Sequence, residues 1–163
     1  MINIRAADIK DIKDITDIYN QAILQSNSTF DIEPKTIKDR KNWFKKHNKK
    51  NPIIVAEKEK KIVGYASLSK WSDKKAYSDT VEISLYIKKE FHNQGIGTKL
   101  MSEIIKKGKQ EKNHIIIALI TQDNDISIKL HKKFGFKMVG LLKECGFKFN
   151  KKLNVYIMQK ILN

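Results

Sequence analysis

Cysteine occurs once in the 163 residues, at Cys145. That excludes an internal disulfide and any cysteine-based metal cluster, so no metal is expected. Proline occurs twice, and no Pro/Gly-rich stretch, repeat or low-complexity tract marks a linker. A single domain over residues 1–163 is therefore expected. Long apolar runs are missing too. The longest, "IIIALI" at 115–120, falls far short of the ~20 residues that cross a membrane. The opening "MINIRAADIKD" carries acidic residues where a secretory leader would be apolar, which makes the cytoplasm the expected location. Arginine is confined to Arg5 and Arg40, although the net charge is +15. Such an excess points either to a polyanionic partner or to a lysine-rich composition. Proteins that read nucleic acid lean on arginine forks and stacked aromatics. These lysines are scattered through every segment, and a basic nucleic-acid-binding module is the lesser reading.

What is present has a clear order. Residues 2–7 alternate and read as a strand. Asp8 then caps a helix whose apolar stripe is Ile9, Ile12, Ile15, Tyr19, Ala22 and Ile23. "QSNSTF" breaks it, and Thr36 opens a basic second helix reaching about Asn48. Residues 53–57 and 61–69 flank a polar "KEK" and read as a hairpin. After the loop 71–79, "TVEISLYI" (80–87) alternates strictly, with Val81, Ile83, Leu85 and Ile87 on one face and Glu82, Ser84 and Tyr86 on the other. A helical stripe follows from Gly95. The apolar run at 114–120 then suits a strand covered on both faces. A short helix ended by Gly135 and two strand-like segments, near 136–147 and 153–161, complete the chain. This order predicts an α/β fold: a mixed sheet of about six to seven strands with helices on both faces.

One stretch suggests chemistry. "NQGIGTK" (93–99) sets two glycines at a strand-to-helix junction. A helix start exposes unpaired N–H groups and the positive end of its dipole. Glycine permits both positive φ and close approach of an anion. The spacing is neither a Walker loop nor a dinucleotide fingerprint. By itself it is equally an anion cradle or a tight turn.

The surrounding segments decide between these. "STFDIEP" (28–34), "VAE" (55–57), "VGYASLSKW" (63–71), "AYSDTVEISLYI" (76–87), "NQGIGTKL" (93–100), "NDISIKLHKKFGF" (124–136), "GLLKECGFK" (140–148) and "NVYIMQ" (154–159) span nearly the whole chain in order. Together they resemble the GNAT superfamily of acetyl-CoA-dependent N-acetyltransferases, and within it the phosphinothricin/methionine-sulfoximine subgroup. The resemblance implies the GNAT fold and transfer of acetyl from acetyl-CoA to the primary amine of a small amino-acid-like substrate. Acylation of a protein, ribosomal or polyamine amine is the runner-up. Because relatives are commonly dimers, it also implies a homodimer.

The resemblance carries roles onto individual positions. Glu82 aligns with the catalytic glutamate and becomes the candidate general base; without the resemblance it reads first as a solvent-facing strand residue. Peptide groups at Leu85, Tyr86 and Ile87 would take the pantetheine arm as an added strand does. Asn93, Gln94, Gly95, Ile96, Gly97 and Thr98 would wrap the pyrophosphate, and Asn124 would hydrogen-bond the arm. Where many members have Gln or Arg, this chain has His92. His131 falls at the place of a tyrosine that protonates the departing thiolate, and is either that acid or a polar lining group. Phe30, Trp71, Lys74, Tyr77, Thr80 and Val81 would enclose the acceptor. Two departures touch that pocket. Lys74 stands where an arginine fork is common, and "NKKLN" (150–154) replaces a segment with Trp and an acidic residue. Cys145 reads as buried packing.

Overall fold

A computed structural model describes residues 1–163. The chain runs β1 (Ile2–Ala6), α1 (Ile12–Gln25), α2 (Ile37–Lys45), β2 (Ile53–Lys58), β3 (Lys61–Lys70), β4 (Thr80–Ile87), α3 (Ile96–Gln110), β5 (Ile115–Thr121), α4 (Asp125–Lys133), β6 (Lys137–Lys148) and β7 (Lys151–Ile161). All seven strands join one sheet in the order β1-β2-β3-β4-β5-β7-β6. Only the β4–β5 pair is parallel; every other neighbour is antiparallel. The mixed sheet with helices on both faces is thus as the sequence order predicts. No helix is long and apolar enough to cross a membrane.

Each face of the sheet buries its own apolar cluster. On one, Ile96, Leu100, Met101, Ile104 and Ile105 of α3 pack on Ile54, Ala56, Val63, Leu68, Val81 and Ile83. On the other, Ile15, Ile18, Tyr19 and Ile23 of α1 pack on Ile53, Val55, Ile62 and Tyr65. Period-2 strands and period-3.6 helices meet here, and burial of these side chains drives the fold. Helix α2 is shorter than expected. It stops at Lys45 because the N–H groups of Lys46 and His47 turn back onto the carbonyls of Trp43 and Phe44. The sequence reading of β5 also needs correction. Leu119 is 42% exposed and Ile115 and Ile117 are half-buried, so this strand is covered on one face and borders a cleft on the other.

The start of α1 is held to the sheet edge by ionic contacts. Asp8 and Asp11 form a capping box at the turn that opens the helix. Arg5 of β1 donates to both oxygens of Asp11 at 2.7 and 2.9 Å and also bonds Glu57 of β2. Burial alone would raise the Asp11 pKa. Hydrogen bonds from Arg5 and the Asp8 N–H outweigh it and hold the carboxyl below its ordinary value of 3.8. Its stabilising contribution is therefore complete above that value and lost as pH falls through the lower folded pKa. Replacing Asp11 with Ala should cost about 2–3 kcal/mol, since the buried carboxylate is lost while the Arg5 left behind is partly solvated and still pairs with Glu57. Urea titrations at pH 7 and pH 3 check this: the variant's deficit should be smaller at pH 3 than at pH 7.

Candidate active site

The cleft begins where the one parallel pairing ends. β4 and β5 are in register only at Thr80–Ile115, Val81–Ile116 and Glu82–Ile117. Beyond Glu82, β4 stays with β3 while β5 stays with β7. Trp71 N–H donates to the Thr80 carbonyl and Lys88 N–H to the Val63 carbonyl. Alternate residues of an antiparallel ladder address the same neighbour, so the odd-numbered residues of β4 turn their peptide groups toward β5. The peptide groups of Leu85 and Ile87 consequently face the gap without a strand partner. His92 Nε2 lies 2.9 Å from the Ile87 carbonyl, taking one acceptor at the far end. The opened gap is part of a cleft of about 1040 Å³.

A donor arc closes that end of the cleft. Gly95 caps α3 with φ +76° and no side-chain cap. None of the N–H groups from Asn93 through Thr98 finds an acceptor in the chain. Free N–H groups on a 15-residue helix with no acidic residue in its first turn are an anion site by charge and by geometry. The two glycines serve different ends. A Cβ at Gly95 would meet open space, so its requirement is the positive φ; a Cβ at Gly97 would press on Leu130 and Ile87 at 3.3 and 3.4 Å. Asn93, with φ +60°, adds a second left-handed residue to the turn. Lys89, Lys129 and Lys133 also line the cleft. Gln94 does not: its side chain is drawn to Lys58 Nζ at 3.0 Å.

Glu82 stands at the point where the strands part, half-buried on the cleft wall. Neither a side-chain hydrogen bond nor an ion pair engages its carboxylate, and burial pushes its pKa up. His131 on α4 is 5% exposed and also on the wall. Its Nδ1 donates to the Ser127 carbonyl at 2.7 Å, and its ring packs edge-on against Phe136. Burial lowers its pKa, only partly offset by the bond to Ser127. The ring is thus neutral with its proton on Nδ1, which leaves Nε2 as an acceptor. Asn124 caps α4, its Oδ1 accepting from Ser127 N–H at 3.2 Å, and also lines the cleft.

Of the residues expected around the acceptor, only Phe30 lines the cleft. Its ring lies on the Gly146 backbone, where an added Cβ would collide with it. Val81 is a core residue, 1% exposed, with its side chain on the α3 side of the sheet. Thr80, Trp71, Lys74 and Tyr77 lie behind the closed part of the fork, before Glu82, and none borders the cleft. Cys145 is exposed on the cleft wall rather than buried. Sequence reading missed Lys148, 4% exposed, whose Nζ donates to the carbonyls of Ser26 and Thr29 at 2.9 and 2.8 Å. It pins the loop that carries Phe30. One lysine among so many gives no signal in the sequence. Tyr19 was legible only as part of an apolar stripe, yet it borders the cleft as well.

Known proteins match this arrangement over nearly its full length. A phosphinothricin N-acetyltransferase of Streptomyces coelicolor is 32% identical over 154 residues, covering 92% of this chain and 90% of its own. An L-methionine sulfoximine/L-methionine sulfone acetyltransferase of Pseudomonas paraeruginosa is 30% identical over 159 residues, covering 96% and 92%. A GNAT superfamily phosphinothricin acetyltransferase from Sinorhizobium meliloti, solved in complex with AcCoA, superposes with a TM-score of 0.96 at 31% identity, over 99% of this chain and 89% of that one. The acetyltransferase (GNAT) family matches residues 14–136. That span takes in the strand fork, the glycine turn and α4 together, and the chain belongs to the acetyltransferase (GNAT) family.

Proposed function

We propose that this N-acetyltransferase moves the acetyl group of acetyl-CoA onto the primary amine of a small amino-acid-like acceptor of the phosphinothricin or methionine-sulfoximine kind. The observation that carries the reading is the coincidence, in one cleft, of an unpartnered carboxylate, an open strand edge and an uncapped helix start. The substrates for which the relatives are named supply the acceptor class.

Acetyl-CoA would supply an activated thioester. The N–H groups from Asn93 to Thr98 suit its pyrophosphate, and Lys89, Lys129 and Lys133 are at hand for its outlying phosphate. The peptide groups of Leu85 and Ile87 suit the amides of the pantetheine arm, with Asn124 across from them. Glu82 would take the proton that the amine loses as it attacks the thioester carbonyl; the C–S bond then breaks, and CoA leaves as a thiolate that takes its proton from water. A desolvated carboxylate with no cation beside it has a raised pKa and is a better base near neutrality. A neutral His131 with a committed Nδ1–H favours the polar-lining role over that of general acid. Phe30 closes the acceptor side. A homodimer belongs to the same proposal, supported by the exposed apolar side chains Val139, Leu142 and Phe147 on the edge strand β6.

Three measurements test the reading. Glu82→Gln should lower kcat roughly 10²–10⁴-fold with acetyl-CoA affinity unchanged, and should flatten the acid limb of the kcat/KM profile. An unchanged profile from pH 6 to 9 would remove Glu82 as base. The Gly95→Val, Gly97→Val double variant should lose acetyl-CoA binding by calorimetry while keeping its far-ultraviolet dichroism. A panel of methionine sulfoximine, phosphinothricin, a peptide N-terminus and spermidine, followed by CoA release, should show turnover of the first two alone. Turnover of the peptide or spermidine instead would favour the protein or polyamine reading.

A further inference from the structure

A second cavity, of about 430 Å³, shares Tyr19, Ser84 and Tyr86 with the cleft and extends under α2. Its wall holds Arg40, one of only two arginines in the chain, at 6% exposure. The guanidinium carbon sits 3.8 Å from the ring centre of Trp43 and 4.4 Å from that of Tyr19. One Nη donates to the Tyr65 hydroxyl at 3.0 Å. No carboxylate pairs with this cation. Asp31, on the same wall, is engaged by Lys35 at 3.1 Å and by the Tyr19 hydroxyl. Asp39 is committed to the Thr36 cap. Arg40 Nε is buried without any acceptor, and so is the hydroxyl of Ser67, 1% exposed and on the same wall.

A buried cation without an anion is costly to keep, and stacking against aromatic faces offsets only part of that cost. Stacking occupies the faces of the guanidinium and leaves its edge donors for an oxyacid lying in its plane. The cavity also lies beside the reacting carboxylate. Ser67 is directly across the ladder from Ser84, which is two residues from Glu82 on the same face, a step of about 7 Å. That is the scale of a small amino acid.

We infer that this cavity receives an anionic oxyacid group of the acceptor, with Arg40 as the cation that selects it and Ser67 as a supporting donor. The amine then reaches past Ser84 to Glu82. Specificity for acidic acceptors thus comes from α2, not from the loop around Lys74. This inference rests on the amino-acid-acceptor reading given above.

The test compares kcat/KM for methionine sulfone, its carboxamide and phosphinothricin in the wild type and in Arg40→Met. If the α-carboxylate lies at Arg40, the variant should lose roughly 10–100-fold on methionine sulfone and little on the carboxamide, the range for a buried charged hydrogen bond. If the phosphinate lies there, phosphinothricin should fall by that factor relative to methionine sulfone. Ratios taken within one preparation do not depend on the fraction folded. Should Arg40→Met fail to fold, Arg40→Lys and Ser67→Val serve, with smaller shifts in the same direction. Equal losses on all three acceptors, or none, would make Arg40 a structural cation and overturn the inference alone. Wild-type enzyme inactive on all three would overturn the amino-acid reading and this inference with it.

Discussion

The parting of β4 from β5 after Glu82 is the constraint on which the rest of the molecule depends. A sheet normally satisfies each interior peptide group from a neighbouring strand. Here β3 and β7 each hold one of the two strands, and their twist carries them apart. The peptide groups left over at Leu85 and Ile87 would be a defect in a closed sheet. Beside an extended ligand they become a template, because an arm with its own amides can pair as a strand would. The fork also decides where Glu82 ends up. It is the last paired residue, so its backbone is rigid while its side chain borders open space.

Stability has to be found away from that gap. The two apolar clusters lie largely to the β1–β4 side, with α3 on one face and α1 on the other. The β6–β7 hairpin is thin by comparison, with nearly every residue of β6 exposed. β7 joins it to the body through the ladder with β5 and through Met158 in the core, and β6 is held further by Lys148 under the Ser26–Thr29 turn and Phe30 against the bare backbone at Gly146. The Lys148 and Phe30 contacts also set one wall of the cleft.

Charge is distributed to the same end. The glycine-turn end of the cleft is positive through backbone and lysines, while the Glu82 carboxylate sits where no cation neutralises it. Arg40 repeats this logic in reverse, a cation kept among aromatic rings with no acid to answer it. Unmatched buried charges are unfavourable in an empty protein and become favourable once the complementary group arrives.

Local pattern in the sequence is enough for most elements. Alternation in "TVEISLYI" gave β4 and its two faces, and the stripe from Ile96 to Ile105 gave α3, because periodicity reflects burial directly. Glu82 stood out only through the family resemblance, whereas the glycine turn was also legible, since positive φ leaves a mark in the residue types themselves. The strand fork was not, because nothing in 80–87 or 115–121 says where pairing stops; that depends on which neighbours hold each strand. For the same reason the exposure of Leu119 escaped the sequence reading. The roles of Lys148 and Arg40 were hidden too, as each depends on groups far along the chain that only folding brings together. By itself the sequence determined the elements, their order and the glycine turn before α3, which are local consequences of residue type. Tertiary structure alone decided which side chains share the cleft, because long-range strand pairing sets where the sheet opens.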